Sequence, residues 1–279
     1  MAGERAICHV CPRHCAIAPG ALGFCRARTN RDGIVVDAHY GELTSIALDP
    51  VEKKPFAEWE PGSLILSIGG YGCNLSCPFC QNAGISQAGE GAVRTRFASP
   101  SDVVRKALGL RPYGNIGVAI TYNEPFVSFD YLNDTARATH EAGLEFAVVT
   151  NGMVCAEAFS EVLPSIDAMN IDLKGFSSRY YAACGFDGFR EVRASIAAAA
   201  ACPTCHLEVT TLVVPGLVRD EEMEEAAAWL ASLDPDIPYH ITQYHPAWRY
   251  REPPLPRAKI DEYADRARRH LSRVYVGNV

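Results

Sequence analysis

The sequence contains no hydrophobic run long enough to cross a membrane. Its longest apolar runs, residues 64–68 and 196–202, are far shorter than the roughly 20 residues that a membrane helix needs. Residues 1–10 lack a basic start followed by an apolar core, so no signal peptide is expected. Positive charge is not in surplus either, because 26 Lys and Arg stand against 33 Asp and Glu. These absences predict a cytoplasmic protein and argue against nucleic acid or a membrane as its partner.

Repeats of fixed period are also absent, and low complexity is confined to the alanine-rich stretch 194–201. Apolar residues make up 48% of the chain and charged residues 21%, which is typical of a globular protein and excludes disorder, collagen and coiled coil. A chain of 279 residues is long enough for one large domain or two small ones.

Cysteine is the residue type present in unusual number. Of the eleven cysteines, seven fall in two tight sets: Cys8, Cys11, Cys15 and Cys25, and then Cys73, Cys77 and Cys80. In a reducing compartment such sets bind metal more often than they form disulfides. Both sets are therefore candidate metal sites.

From residue 63 the sequence alternates apolar strands with amphipathic helices. Strands are predicted at residues 64–68, 116–121, 145–150, 168–173, 206–213 and 239–243, with a short seventh at 274–276, and helices at 101–110, 131–142, 156–163, 189–201, 220–232 and 257–271. Strands that are buried on both faces and separated by helices indicate a parallel sheet with right-handed crossovers. Six such units predict an α/β barrel or partial barrel, in which the chemistry gathers at the carboxyl ends of the strands.

Residues 1–62 have a different pattern and predict an N-terminal extension, with residues 63–279 forming the barrel. After the first cysteine set come two β-like runs at 34–39 and 43–48. Tyr40-Gly41-Glu42 between them predicts a hairpin turn. Residues 49–61 are charged and bounded by prolines, so they predict a connector whose charges are either functional or a solvated cluster.

The set Cys73, Cys77 and Cys80 directly follows the first predicted barrel strand with the spacing C-x3-C-x2-C. Three thiolates on one short loop can bind three irons of a cubane iron–sulfur cluster and leave the fourth iron open to a small molecule. A zinc site that lacks one ligand and three unrelated thiols are the alternatives.

This motif, with Phe79 before its last cysteine, resembles the signature of radical S-adenosylmethionine (SAM) enzymes. The resemblance implies a partial (β/α)6 radical SAM barrel that uses a [4Fe-4S] cluster and SAM as cofactors. In that family the amino and carboxylate groups of SAM chelate the open iron. An electron from the reduced cluster cleaves SAM to methionine and a 5′-deoxyadenosyl radical, which abstracts hydrogen from the substrate. Phe79 would lie close to the adenine.

A second motif, Thr121-Tyr122-Asn123-Glu124-Pro125, stands where the family has a Gly-Gly-Glu-Pro-like sequence. The resemblance implies that Glu124 accepts hydrogen bonds from the SAM ammonium, a charge-assisted contact. Tyr122 and Asn123 replace the glycines and would act mainly through their backbone. The alternative is that Glu124 is a solvated loop carboxylate.

Two more motifs, Thr150-Asn151-Gly152 and Asp172-Leu173-Lys174, resemble those of the glycyl-radical-enzyme activases, the group of the pyruvate formate-lyase-activating enzyme. The resemblance implies that Thr150, Asn151 and Asp172 bind SAM and that Lys174 contacts the SAM carboxylate or the substrate. A purely structural Asp172–Lys174 pair is the alternative.

His245 follows the sixth predicted strand, where the activases also have a histidine. The resemblance implies a catalytic or SAM-site role, and a satisfied core histidine is the alternative. Two departures argue against an activase: Val149 stands where those enzymes carry an aspartate, and Thr210 stands near the position of an arginine.

Residues 49–55, the Cys80-Gln81-Asn82 end of the cluster motif and residues 122–125 narrow the resemblance to the AmmeMemoRadiSam group. This implies an oxidoreductase-like or activase-like enzyme with a small-molecule or protein substrate. It also implies a reductant such as flavodoxin or ferredoxin, and Memo-like and Amme-like companion proteins. A glycyl-radical-enzyme activase that acts on a partner protein is one alternative. A non-catalytic metal-binding or electron-transfer protein is the other.

The first cysteine set, with the spacing C-x2-C-x3-C-x9-C, offers four soft ligands. Four thiolates close a tetrahedral zinc site or hold a whole cubane cluster, and their spacing does not separate the two. Cys8, Cys11, Cys15 and Cys25 therefore predict either structural zinc or a second iron–sulfur cluster, with unrelated thiols as the third reading.

Overall fold

The computed structural model describes residues 4–279. Its N-terminal part is built from short strands, namely β1 (Ala6–Ile7), β2 (Ala16–Ile17), β3 (Arg28–Arg31), β4 (Ile34–Asp37), β5 (Glu42–Leu43) and β6 (Ser45–Pro50). Strands β1 and β2 form one antiparallel pair, and β3 and β4 form another.

The remaining strands are β7 (Leu64–Gly69), β8 (Arg96–Phe97), β9 (Asn115–Ile120), β10 (Glu145–Thr150), β11 (Ala168–Asp172), β12 (His206–Val213), β13 (Tyr239–Gln243) and β14 (Val274–Gly277). One eight-stranded sheet has the order β14-β13-β12-β11-β10-β9-β7-β6. Strands β7 and β9 to β14 are parallel, and β6 joins antiparallel at the edge. Because the pairings of the described chain leave β14 and β6 as separate edges, the sheet is a partial barrel.

The helices are α1 (Ala83–Ser86), α2 (Pro100–Gly109), α3 (Phe129–Glu141), α4 (Ala156–Val162), α5 (Ser178–Ala183), α6 (Phe189–Ala200), α7 (Asp220–Leu233) and α8 (Arg257–Ala267). Each pair of successive parallel strands is connected through at least one helix, as right-handed crossovers require. The α/β partial barrel that the sequence predicts is confirmed, and the predicted elements agree with the structure to within a few residues at their ends.

Helix α2 begins at Pro100, and Ser99 caps its first turn. The Ser99 hydroxyl accepts a hydrogen bond from the Asp102 backbone N–H at 3.2 Å, and the Asp102 carboxylate accepts from the Ser99 N–H at 3.1 Å. This reciprocal capping box satisfies two backbone donors that the first turn of a helix leaves free.

The hairpin predicted from residues 34–48 is wrong. Strand β4 turns back through Asp32-Gly33 and pairs with β3, whereas β6 pairs with β7 in the large sheet. Asp32 and Gly33 have φ angles of +53° and +88°, the left-handed geometry that favours an Asp-Gly turn between two strands. Strand β6 gains more by covering an open sheet edge, because that edge would otherwise leave its backbone groups unpaired.

Residues 51–61, the plug segment, are packed into the barrel. Val51 and Phe56 are fully buried and Trp59 is nearly so. Their partners include small inward-facing residues of three neighbouring strands, namely Ala119, Ala147 and Ala168. The predicted connector is therefore part of the core, because small strand residues leave room for its large side chains.

A buried carboxylate anchors this segment. The side chain of Glu208 on β12 is fully buried and accepts hydrogen bonds from the backbone N–H groups of Ala57 and Glu58, both at 2.9 Å. It also contacts His206 at 3.0 Å and His240 at 2.5 Å. The main chain of the plug segment is thus bound to β12, which is far from β6 in the order of the sheet.

Within residues 4–279, the helices are too short or too polar to cross a bilayer. The β6–β7 pairing joins residues 4–62 to residues 63–279 through a continuous ladder. The division of the chain into an extension and a barrel domain at residue 62 stays a prediction.

Candidate active site

The loop that carries Cys73, Cys77 and Cys80 leaves the carboxyl end of β7. Gly72 has a φ of +88°, and a Cβ atom there would lie 2.4 Å from the Cys25 carbonyl oxygen. Only glycine permits both this conformation and this close approach. The two cysteine sets are therefore in direct backbone contact at this point.

The side chain of Asn123 holds the same loop in shape. Its Oδ1 accepts from the Gly70 N–H at 3.1 Å, and its Nδ2 donates to the carbonyls of Tyr71 and Gly72 at 3.2 and 3.1 Å. The sequence predicts a backbone role for Asn123, and its side chain adds this structural one. The asparagine thus replaces a glycine without loss of loop order.

A cavity of about 300 Å³ opens beside the loop. Eleven of the predicted site residues line it: Cys73, Cys77, Phe79, Cys80, Tyr122, Asn123, Glu124, Thr150, Asn151, Asp172 and Lys174. They come from the carboxyl ends of β7, β9, β10 and β11, which is where a barrel places its chemistry.

Glu124 is buried at the centre of this group. Its carboxylate accepts hydrogen bonds from the Thr150 hydroxyl at 2.7 Å and from the backbone N–H groups of Asn151 and Phe126 at 2.8 and 3.1 Å. Burial raises the pKa of Glu124 to about 7, although these three donors favour the ionised form. The solvated-loop alternative for Glu124 is therefore wrong, because only 1% of the residue is exposed.

Asn151 links this carboxylate to the cysteine loop. Its Nδ2 donates to Asn74 Oδ1 at 2.8 Å and lies 3.7 Å from Cys73 Sγ. One short segment after β10 thus contacts both the carboxylate and the thiol.

Lys174 and Asp172 form an ion pair with Nζ–Oδ2 at 2.9 Å. Burial opposes the charge of Lys174, but the Asp172 carboxylate and the Cys77 sulfur raise the lysine pKa well above its usual value. The cavity therefore holds a cation close to the thiols.

Asp49, Lys54 and Tyr122 form a hydrogen-bonded group beside the cavity. The sequence assigns Tyr122 to the site but not Asp49 or Lys54. Asp49 accepts hydrogen bonds from Lys54 Nζ at 2.9 Å and from the Tyr122 hydroxyl at 2.8 Å. Although burial opposes it, these donors lower the pKa of Asp49 to about 2. Lys54 is 3% exposed, so it is not part of a solvated charge cluster. The motif at residues 49–55 marks Asp49 and Lys54 in the sequence, but the contact between Asp49 and Tyr122 depends on the fold.

His245 lies outside this cavity. It is exposed, and its Nε2 is 2.9 Å from the Asn278 carbonyl oxygen. The structure thus places it at the same end of the sheet but against the last residues of the chain, so the core-histidine alternative does not hold. Its catalytic role stays a prediction.

The first cysteine set lines a small cavity of its own, formed by Cys8, Cys11, Cys15 and Cys25 together with Arg13 and Arg28. Arg13 donates to the carbonyls of Asn74 at 2.6 Å and Gly185 at 2.8 Å. Its guanidinium also stacks on the rings of Phe24 and Phe186, 3.4 and 4.7 Å from their centroids. This arginine holds the first cysteine set against the loop of the second.

The donor chemistry at both sets fits a metal group. Burial raises the pKa of Cys73, Cys80 and Cys25, and it raises that of Cys11 to about 12. Buried thiolates are costly unless a cation stabilises them. In residues 4–279, side chains of His, Cys, Asp or Glu do not converge in threes on a single ion position. The fit to a metal group therefore rests on the burial of the thiols and on their placement around one cavity at each set.

Similarity to known proteins defines the class to which this chain belongs. The sequence profile of the radical SAM superfamily matches residues 67–230, from β7 into α7. The chain belongs to the radical SAM superfamily. This confirms the resemblance to radical SAM enzymes that the Cys73, Cys77 and Cys80 motif indicates. SAM and an iron–sulfur cluster follow as the cofactors that the family implies.

Among individual proteins, an uncharacterized protein of Methanocaldococcus jannaschii is 33% identical over 295 residues, which cover 98% of this chain and 81% of that protein. A candidate glycyl-radical enzyme activating enzyme of the same organism is 25% identical over 218 residues, covering 75% of this chain and 85% of the relative.

Solved structures of radical SAM proteins share the fold. SuiB of Streptococcus suis bound to SAM has a TM-score of 0.59 at 15% identity, over 77% of this chain and 52% of that chain. A radical SAM methyltransferase of Sphaerobacter thermophilus has a TM-score of 0.56 at 15% identity, over 78% and 67%. The chain spans about half the length of SuiB. At this identity the likeness concerns the fold alone.

Proposed function

We propose that the protein cleaves SAM reductively and uses the resulting radical to abstract hydrogen from a substrate. The observation that carries the proposal is the cavity in which three thiols, Glu124 and Lys174 meet at the carboxyl ends of successive strands. Family membership supplies the chemistry: when bound, a [4Fe-4S] cluster on Cys73, Cys77 and Cys80 provides the electron that cleaves SAM to methionine and a 5′-deoxyadenosyl radical.

The residues of the chain have separate tasks in this proposal. Glu124 accepts hydrogen bonds from the amino group of SAM, and the adjacent Thr150 hydroxyl and Asn151 N–H keep its carboxylate oriented. Phe79 covers the adenine. Lys174, held by Asp172, faces the SAM carboxylate or the substrate. His245 is proposed to act from the outer rim of the site.

The decisive test is anaerobic reconstitution with iron and sulfide, followed by addition of SAM and dithionite and measurement of 5′-deoxyadenosine. We expect 5′-deoxyadenosine from the wild type and none above background from Cys77→Ala. A matched control is Cys205→Ala, because Cys205 is also buried but lies at the amino end of β12. A wild type that carries a spectroscopically confirmed cluster but neither binds nor cleaves SAM would overturn the proposal and favour an electron-transfer protein.

Membership of the AmmeMemoRadiSam group is the finer form of this proposal. It is supported by the Asp49–Lys54 pair, whose lysine lines the cavity, and by the sequence at residues 122–125. The group implies Memo-like and Amme-like companions in the cytoplasm and a reductant such as flavodoxin or ferredoxin. We expect co-purification of a tagged chain with at least one companion from its native host, whereas an unrelated set of bound proteins would argue against the group.

A glycyl-radical-enzyme activase is the second candidate, because similar proteins of Methanocaldococcus jannaschii are described as candidate activating enzymes. The partner would then be a protein with a glycine to be oxidised. Val149, which lines the cavity, argues against it. A neighbouring gene for a glycyl radical enzyme, and a glycyl-radical signal formed in its product, would favour the activase.

Zinc and a second iron–sulfur cluster are both proposed for the first cysteine set. Metal analysis of a variant with Cys73, Cys77 and Cys80 all changed to alanine distinguishes them. About one zinc per chain indicates structural zinc, whereas about four irons indicate a cluster. If the variant contains neither zinc nor iron, these thiols are not ligands.

A further inference from the structure

A hydroxyl group contacts one of the three thiols at the candidate cluster site. Ser86 is the last residue of α1, which begins directly after the Cys80-Gln81-Asn82 end of the cluster motif. Its Oγ lies 3.3 Å from Cys80 Sγ, and the residue is 3% exposed. Both residues line the cavity.

The neighbouring glutamine determines the direction of this hydrogen bond. Gln87 Nε2 lies 3.0 Å from the Leu75 carbonyl oxygen, which can only accept, so the amide nitrogen must be the atom at that position. The same nitrogen lies 3.3 Å from Ser86 Oγ. The hydroxyl oxygen therefore accepts from Gln87, and its own proton is free to point at the sulfur.

A metal-bound thiolate has no proton of its own. In that state only Ser86 can be the donor between the two groups. A hydrogen bond to an ionised acceptor is stronger than one between neutral groups. The contact therefore favours negative charge on the sulfur of Cys80.

This chain of hydrogen bonds extends to the segment that carries the first cysteine set. Arg26, which directly follows Cys25, has its Nη1 3.5 Å from Gln87 Oε1. The order of contacts is Arg26, Gln87, Ser86 and Cys80. The orientation of the Ser86 hydroxyl thus depends on a segment that is distant from it in sequence.

We propose that Ser86 is a positioning residue that makes the cluster on Cys73, Cys77 and Cys80 easier to reduce, by donating a hydrogen bond to the thiolate of Cys80. The inference rests on the proposed function, since it needs the cluster. Reduction adds one electron from a low-potential donor such as dithionite and moves no proton, so Ser86 keeps its hydrogen. The added negative charge is shared with the sulfur ligands, where hydrogen bonds raise the reduction potential.

The test is a potentiometric titration of the reconstituted cluster, followed by electron paramagnetic resonance, in the wild type and in Ser86→Ala. At the potential where half of the wild-type cluster is reduced, we expect the ratio of reduced to oxidised cluster to fall about tenfold in the variant. For a one-electron couple this is a midpoint potential lower by about 59 mV. Ser86→Thr keeps the hydroxyl and should restore the wild-type midpoint.

Two further variants keep the test decisive. Gln87→Leu leaves Ser86 in place but removes the group that orients it, so a smaller decrease in the midpoint is expected. Thr139→Val removes a buried hydroxyl that bonds the Thr135 carbonyl at 2.7 Å on α3 and should leave the midpoint unchanged.

An unchanged or higher midpoint in Ser86→Ala overturns the inference. If that variant does not take up iron, the Gln87→Leu midpoint decides, and no decrease there overturns it as well. A wild type that assembles no cluster would instead refute the proposed function, so the two failures can be told apart.

Discussion

At the scale of single residues, the site depends on the ionisation of Glu124. Burial raises its pKa to about 7 from the ordinary value of 4.5. Since the carboxylate accepts a stronger hydrogen bond from the SAM amino group than the neutral acid does, we expect SAM affinity to fall as the pH drops below about 7 and to level off above it. The sign for the unliganded fold is opposite, because a raised carboxyl pKa lowers the stability as the pH rises from 4.5 to 7.

Glu124→Gln should remove this pH dependence and weaken the binding of SAM. A hydrogen bond to a charged group contributes about 1.5–3 kcal/mol, so SAM affinity is expected to fall roughly tenfold to hundredfold and to stay flat with pH. Anaerobic equilibrium dialysis between pH 6 and 8.5 measures this. The exposed Glu161→Gln on α4 is the matched control. Wild-type affinity in Glu124→Gln would contradict the assignment.

At the scale of elements, the plug segment is held in the barrel by the buried carboxylate of Glu208. Burial opposes the charge of Glu208, but hydrogen bonds from His206, His240 and the backbone of the plug lower its pKa to about 2. A lowered carboxyl pKa contributes stability that is present above pH 4.5 and lost as the pH falls towards 2. The plug is therefore expected to loosen in acid.

Glu208→Gln tests this anchoring. The amide cannot accept from two backbone N–H groups and two histidines as a carboxylate does, so we expect the free energy of unfolding to fall by about 3 kcal/mol at pH 7. The difference from the wild type should shrink below pH 4.5, where the wild type loses the same contribution. Urea unfolding at several pH values is the measurement, with the exposed Glu221→Gln as control. A difference that does not change with pH would show that Glu208 acts by shape alone.

At the scale of the whole molecule, Arg13 connects the N-terminal extension to the barrel. Its guanidinium donates to two carbonyls and stacks on two rings, and lysine cannot reproduce this planar arrangement. In Arg13→Ala we expect faster hydrogen exchange in residues 8–25, with the protection of β9 to β12 unchanged. Arg13→Lys should show an intermediate effect.

Hydrogen exchange followed by mass spectrometry resolves these segments. The exposed Arg190→Ala at the start of α6 is the control. Unchanged exchange in residues 8–25 would mean that the metal ligands and the strand pairs alone hold the extension in place.

The sequence by itself determined the barrel and the cluster loop. The order of strands and helices could be predicted because apolar periodicity and capping signals act over a few residues, as the Ser99 cap of α2 illustrates. The C-x3-C-x2-C loop could be predicted because its three thiols lie within eight residues. Asp32-Gly33 is an equally local turn signal, and it marks the true hairpin between β3 and β4.

Only the tertiary structure decided which distant residues meet. Strand β6 could pair locally or at the edge of the large sheet, and the open edge of β7 selected the second arrangement. Asp49 and Tyr122 are 73 residues apart, and Arg26 and Gln87 are 61 apart, so no local pattern connects them. The burial of Lys54 and the position of His245 likewise depend on packing. Hydrophobic periodicity shows which face of a segment is buried, but not which other segment that face packs against. Contacts between distant segments are decided only when the whole core is packed.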